Sequence, residues 1–178
     1  MRRAVFLDRD GVLNEAIVRG GKPYPPQTVA EMVMSEDAPP ALASLKALGF
    51  FLVVVTNQPD VARGTQTRAA VDAINAWLAA RLPFDAVYVC DHDGNACHCR
   101  KPKPGMLTDA ARDHGLHLAS SFMIGDRYRD IEAGQAAGVE SIWIDRGYKE
   151  RSPELPYTRV ASLAEAAIHI AKREHGLK

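Results

Sequence analysis

The chain is expected to adopt an α/β fold, with a mainly parallel central sheet and crossover helices packed on its faces. Three observations lead there. Apolar runs of strand length alternate with segments of helical period, the order that parallel sheets require. The runs are rich in β-branched or aromatic residues and lack polar alternation, as strands covered on both faces do. At 178 residues, with no internal repeat, low-complexity tract or composition break, the length suits one domain spanning residues 1–178 with embedded loops.

The expected strands, in order, are Ala4 to Leu7, Phe50 to Val55, Ala86 to Val89, Phe122 to Ile124 and Ser141 to Ile144. Between them, Ala41 to Leu48 reads as a helix stopped by Gly49. Val71, Ile74, Trp77 and Leu78 place one apolar stripe on a second helix starting near Thr67. Gly105 to His114 and Arg129 to Ala137 make two more, each followed by a glycine. The last helix opens with Ser162 and Glu165 as a capping box and runs through Ala166 to Ala171. Two stretches fit neither period. Gly20 to Gln27, with two glycines and three prolines, is expected to be an ordered turn or lid. Asp91 to Pro104 is a polar loop.

With 22 Lys and Arg against 22 Asp and Glu, bulk attraction to nucleic acid or an anionic membrane is not expected. Met1-Arg2-Arg3 precedes an apolar run of only four residues, too short for a signal-peptide core, and no run has the length of a transmembrane helix. The expected setting is the cytoplasm, and the expected partner is a small metabolite bound by a monomer.

Ligands of open parallel sheets bind beyond the carboxyl ends of the strands. The first strand delivers Asp8-Arg9-Asp10-Gly11, two carboxylates two positions apart before a turn. Such a pair can hold Mg²⁺, or one member can attack phosphorus while the other shuttles a proton. The second strand ends in Thr56-Asn57-Gln58, whose hydroxyl and amides can donate to a phosphoryl group or merely cap the next helix. Arg100-Lys101-Pro102-Lys103-Pro104-Gly105 places positive charge ahead of a helix, suited to an anion or simply solvated. The fourth strand gives Gly125-Asp126-Arg127-Tyr128-Arg129-Asp130, its two aspartates four apart at a helix entry.

These four segments, in this order, resemble the haloacid dehalogenase superfamily of phosphohydrolases over most of the chain. The resemblance implies a Rossmann-like three-layer sandwich without a large cap domain. It implies that Asp8 is the nucleophile and Asp10 the general acid/base, with Thr56 and Lys101 holding the phosphoryl group. It places Mg²⁺ at Asp8, Asp10 (through its main-chain carbonyl) and Asp126, and makes Asp130 a supporting acid. Asn57 and Gln58 belong to the same substrate-binding segment.

Three cysteines, at positions 90, 97 and 99, are an odd number for a disulfide framework. With His92 they offer three thiolates and an imidazole, the number and softness of a closed Zn²⁺ site. The loop has little apolar surface to bury, so the zinc is expected to be structural. His98, between two ligands, is expected to point elsewhere. This loop, running into Arg100-Lys101-Pro102, is similar to the branch of the superfamily that contains heptose bisphosphate phosphatases and histidinol-phosphate phosphatases. Resemblance to the heptose branch implies that Arg100 and Arg127 contact the substrate. The resemblance thus implies removal of the C7 phosphate from a heptose 1,7-bisphosphate in the supply of envelope polysaccharide. Histidinol phosphate is the competing substrate, and a silent phosphosugar-binding module is the non-enzymatic alternative. One departure stands out: Pro59-Asp60 follows Gln58 where the family usually has Ser-Gly.

Overall fold

The computed structural model describes residues 2–176. Its sheet has six parallel strands. β1 (Ala4–Leu7) lies centrally, flanked by β4 (Phe51–Asn57) and β6 (Phe122–Gly125). Beyond β4 comes β5 (Ala86–Cys90); beyond β6 come β7 (Glu140–Ile144) and the edge strand β8 (Thr158–Val160). Among the described residues, five α-helices complete the layers: α1 (Ala38–Ala47), α2 (Arg68–Ala79), α3 (Gly105–His114), α4 (Tyr128–Ala137) and α5 (Leu163–Glu174).

Because successive strand residues point to opposite faces, the apolar runs divide into two cores. Val5, Leu7, Leu52 and Val54 pack with α1, α2 and α5. Ala4, Phe6, Val53 and Val55 pack with α3 and α4. The result is the expected three-layer sandwich, and it anchors the ends of β1, β4 and β6 side by side.

Several boundaries differ from expectation. α1 begins at Ala38, three residues early, because Pro39 and Pro40 lie in the first turn, where a missing N–H costs no hydrogen bond. Thr67 does cap α2, its hydroxyl accepting from the Ala70 amide at 3.1 Å. At α5, Ser162 Oγ accepts from Glu165 N, whereas the Glu165 carboxylate reaches one residue further back, to Ala161 N at 2.8 Å. The Gly20 segment is partly strand: β2 (Ile17–Arg19) and β3 (Lys22–Tyr24) pair antiparallel across Gly20-Gly21, both at positive φ as a tight hairpin demands. The proline loop beyond it is tied down by Gln66, whose amide donates to Pro26 O and Gln27 O. No helix among the described residues is long and apolar enough to cross a membrane.

Candidate active site

The end of β1 carries Asp8, and the loop before α3 brings Lys101 to it. Only 2% of Lys101 is exposed, and its ammonium has one acceptor for each of its three protons: Asp8 Oδ1, Asp130 Oδ1 and Val55 O, each at 2.7 Å. Burial alone would favour the neutral amine, but Asp130 and Asp8 outweigh it and hold the Lys101 pKa above its ordinary value. Asp8 is raised in turn to about 6, by burial first and by Asp130 second, against the pull of Lys101.

Asp126, at the end of β6, completes a group of three buried carboxylates in which Asp8, Asp126 and Asp130 each bring an oxygen within 4.8 Å of the others. Burial, then Asp8 and Asp130, hold Asp126 well above the usual carboxylate range. Its Oδ2 accepts from the Tyr148 hydroxyl at 2.8 Å, while its Oδ1 is buried with no hydrogen-bond partner among the described residues. Gly11 (φ +89°) permits this proximity, since a Cβ there would sit 1.8 Å from Asp126 Oδ2. Hard oxygen donors, one of them unsatisfied, fit a small divalent cation such as Mg²⁺.

Asp10 is not in that carboxylate group. Its oxygens accept from Arg9 Nε and an Arg9 terminal nitrogen (3.1 and 3.0 Å), Asn14 Nδ2 (3.0 Å) and Gln58 Nε2 (2.8 Å). Arg9 is itself fully buried, with its remaining arm on Asn75 Oδ1 of α2. Asp8, Asp10, Thr56, Asn57, Arg100, Lys101 and Arg127 all border one cavity of about 290 Å³, to which the β2–β3 hairpin adds Lys22, Pro23 and Tyr24.

Two of the residues expected at the substrate have other partners. Gln58 is fully buried beneath the cavity, bonded to Asp10 and to Thr56 Oγ1. Asn57 grips the Lys101 backbone from both sides, its Nδ2 donating to Lys101 O and its Oδ1 accepting from Lys101 N, both at 3.0 Å. Pro59 and Asp60 border the cavity, and the charge added by Asp60 is met by Arg63 at 3.3 Å.

Next to Lys101, Cys90, His92, Cys97 and Cys99 converge with all four ligand atoms within 4.8 Å of one another. The Cys90–Cys97 sulfurs are 3.8 Å apart and Cys90–Cys99 3.1 Å; His92 Nδ1 lies 3.7 Å from Cys90 and 3.3 Å from Cys99. A tetrahedron around zinc has edges of about 3.8 Å for Zn–S bonds of about 2.3 Å, so the set has nearly the size such an ion requires. His98 points away, onto Asp109 at 2.7 Å.

A family model described as HAD-hydrolase-like matches residues 98–166. The D-glycero-beta-D-manno-heptose-1,7-bisphosphate 7-phosphatase of Pasteurella multocida is 36% identical over 79% of this chain and 80% of its own length. The protein of the same name from Escherichia coli K12 is 36% identical over 85% of this chain and 83% of its own. The chain belongs to this family of haloacid dehalogenase-type phosphatases. Among solved structures, a D,D-heptose 1,7-bisphosphate phosphatase from B. bronchiseptica, complexed with magnesium and phosphate, superposes with a TM-score of 0.82. That match has 27% identity and covers 96% of this chain and 99% of the other.

Within this heptose bisphosphate phosphatase family member, sequence reasoning missed Arg9, Asn75 and Tyr148. Arg9 carried a visible signal, a charge between two aspartates at the end of a strand buried on both faces. Tyr148 carried none, since it lies 22 residues beyond the carboxylate it holds.

Proposed function

We propose that the protein is a Mg²⁺-dependent phosphomonoesterase that removes the C7 phosphate of D-glycero-β-D-manno-heptose 1,7-bisphosphate, acting as a single-domain monomer in the cytoplasmic supply of heptose for envelope polysaccharide. The observation that carries it is the Lys101 ammonium bridging Asp8 and Asp130 at 2.7 Å beside an Asp126 oxygen without a partner. A phosphate dianion repels a carboxylate nucleophile, and the Lys101 ammonium supports this reading as a fixed positive charge that offsets part of that repulsion. Magnesium, held by Asp8, Asp126 and the Asp10 carbonyl, would supply further charge neutralisation when bound.

On this reading Asp8 attacks phosphorus through a carboxylate oxygen, and the bond from phosphorus to the sugar oxygen breaks as Asp10 protonates that oxygen. Asp10 then takes a proton from water, which attacks the aspartyl-phosphate and releases inorganic phosphate and free Asp8. Lys101 and Thr56 hold the phosphoryl oxygens. Asn57 fixes the Lys101 backbone, Gln58 and Arg9 fix Asp10, and Arg100 and Arg127 stand at the sugar end. The Cys90, His92, Cys97 and Cys99 set would hold a structural Zn²⁺ through four protein ligands and so keep the segment that carries Arg100 and Lys101 in place.

Asp8→Asn keeps the shape and removes the nucleophile. Turnover of the bisphosphate is expected to fall below detection while the circular dichroism spectrum is retained; continued phosphate release would refute the assignment. Faster hydrolysis of histidinol phosphate than of the bisphosphate by one preparation would overturn the substrate.

A further inference from the structure

The cavity above Asp8 holds more positive charge than the scissile phosphate needs. Six cationic side chains border it against four carboxylates. Four of the cations already have acidic partners. Lys101 bridges Asp8 and Asp130, Arg63 pairs with Asp60 and Asp93, Arg100 lies 3.6 Å from Asp93, and Arg127 forms a two-pronged pair with Glu150 at 2.7 and 2.8 Å. The two that remain, Arg129 and Lys22, make no ion pair with any carboxylate among the described residues.

Arg129 is the more telling. It is half-buried in the first turn of α4, three residues after Asp126. Its Nε donates to the Tyr128 hydroxyl at 2.9 Å, and its guanidinium lies 5.4 Å from the centre of the Tyr128 ring. Tyr128 therefore orients the guanidinium from its stem side and leaves the terminal nitrogens, the fork that grips an oxyanion in two places, without an acceptor among the described residues. A half-buried cation prepared in this way is poorly compensated until an anion arrives. Lys22 adds a second positive charge to the same cavity from the β2–β3 hairpin, a separate part of the chain.

We propose that Arg129, assisted by Lys22, binds the second anionic group of the substrate, the phosphate that is not cleaved, and so sets the preference for a bisphosphate over a monophosphate. The proposal rests on the phosphatase reading above and gives it a specificity-determining residue. It also divides the labour among the arginines. Arg127 and Arg100, engaged by Glu150, Asp93 and the His92 carbonyl, shape the wall, while Arg129 has hydrogen-bond donors to give.

The test compares kcat/KM for heptose 1,7-bisphosphate and for heptose 7-phosphate at saturating Mg²⁺, using the full chain. In Arg129→Met, which keeps an apolar stem against Tyr128, the ratio of the two is expected to fall roughly tenfold or more, the worth of a charge-assisted contact. Arg129→Lys should recover part of the preference, and Lys22→Ala should lower the ratio less, in the same direction. A ratio within twofold of wild type in both Arg129→Met and Lys22→Ala overturns the inference while leaving the phosphatase reading intact. Wild-type protein that hydrolyses neither sugar phosphate overturns the reading, and the inference with it.

Discussion

Replacing Lys101 by Met tests the centre of the site, because the substitution keeps most of the volume and deletes the charge. The ammonium that is lost compensates two buried carboxylates, each 2.7 Å away. Removing one partner of a buried ion pair typically costs about 3–5 kcal/mol, and for a chain of this size that lowers the thermal midpoint by on the order of 10 °C. The cost should depend on pH in a definite direction. Asp8 rises from 3.8 to about 6 in the folded chain, equivalent to roughly 3 kcal/mol. An acid whose folded pKa is raised contributes its stability fully below the unfolded value and loses it as pH rises through the folded one. Without Lys101, one of the influences that lowers Asp8 disappears, so the folded pKa climbs and the penalty extends to higher pH. Thermal unfolding in buffer without added Mg²⁺ and without chelator should therefore show a larger deficit for Lys101→Met at pH 8 than at pH 5, where Asp8 already carries a proton. Phosphate release should fall about 10²–10³-fold, the usual loss when one donor to the developing charge is removed. An equal deficit at both pH values, or near-wild-type turnover, would refute the assignment of Lys101 as the counter-charge of Asp8.

Tyr148→Phe removes the hydroxyl that holds Asp126 Oδ2 and leaves the ring. Outer-shell partners of this kind are worth about 10–100-fold in metal affinity, so calorimetric titration of the substrate-free variant with Mg²⁺ should give a Kd weaker by about tenfold or more; an unchanged Kd would show that Asp126 needs no such support. Elemental analysis should find one zinc per chain. Cys97→Ser, or a strong chelator, should lower both the thermal midpoint and the turnover measured in excess Mg²⁺, because the loop carries Lys101; full activity in a zinc-free preparation would remove the structural role. Asp8→Asn completes the set through the loss of turnover described above.

The strands were legible because parallel strands covered on both faces must be apolar throughout, which is why β1 and β6 stand out between polar segments. The β2–β3 hairpin was harder to see. Each arm has three residues and one contains Pro23, so neither period nor propensity marks them, although Gly20-Gly21 is a hairpin signal. β8 was missed for a related reason, as an edge strand of three residues that buries little. In the site, residue type and position at strand ends pointed to Asp8, Thr56 and Asp126, and a basic run ahead of a helix pointed to Lys101. What they could not convey is the direction of each side chain. Asn57 and Gln58 read as donors to a ligand, yet one clamps the Lys101 backbone from 44 residues away and the other lies beneath Asp10. Such partners are set by how the end of β4 meets the loop before α3 and the turn after β1, and that is information held in packing rather than in spacing.

The net charge of zero conceals two local imbalances of opposite sign, and their sizes are instructive. At the acidic end, Asp8, Asp126 and Asp130 face the single ammonium of Lys101. Fully ionised, they would leave two negative charges in a buried place, and the raised pKa values of Asp8 and Asp126 express the resistance of the folded chain to that state. One divalent cation would cancel the excess and allow both acids to ionise, which is the state in which Asp8 can act as a nucleophile. Around the rest of the cavity the excess is positive, with Lys22, Arg63, Arg100, Arg127 and Arg129 against Asp10 and Asp60, and the two of these cations that form no ion pair among the described residues, Arg129 and Lys22, lie on α4 and on the hairpin. A substrate with a single phosphate offers nothing to that second excess once its charge is met at Asp8, Lys101 and the metal. A substrate with two phosphates satisfies both ends at once, so the distribution of charge, more than the shape of an open cavity, gives this site its reason to prefer a bisphosphate.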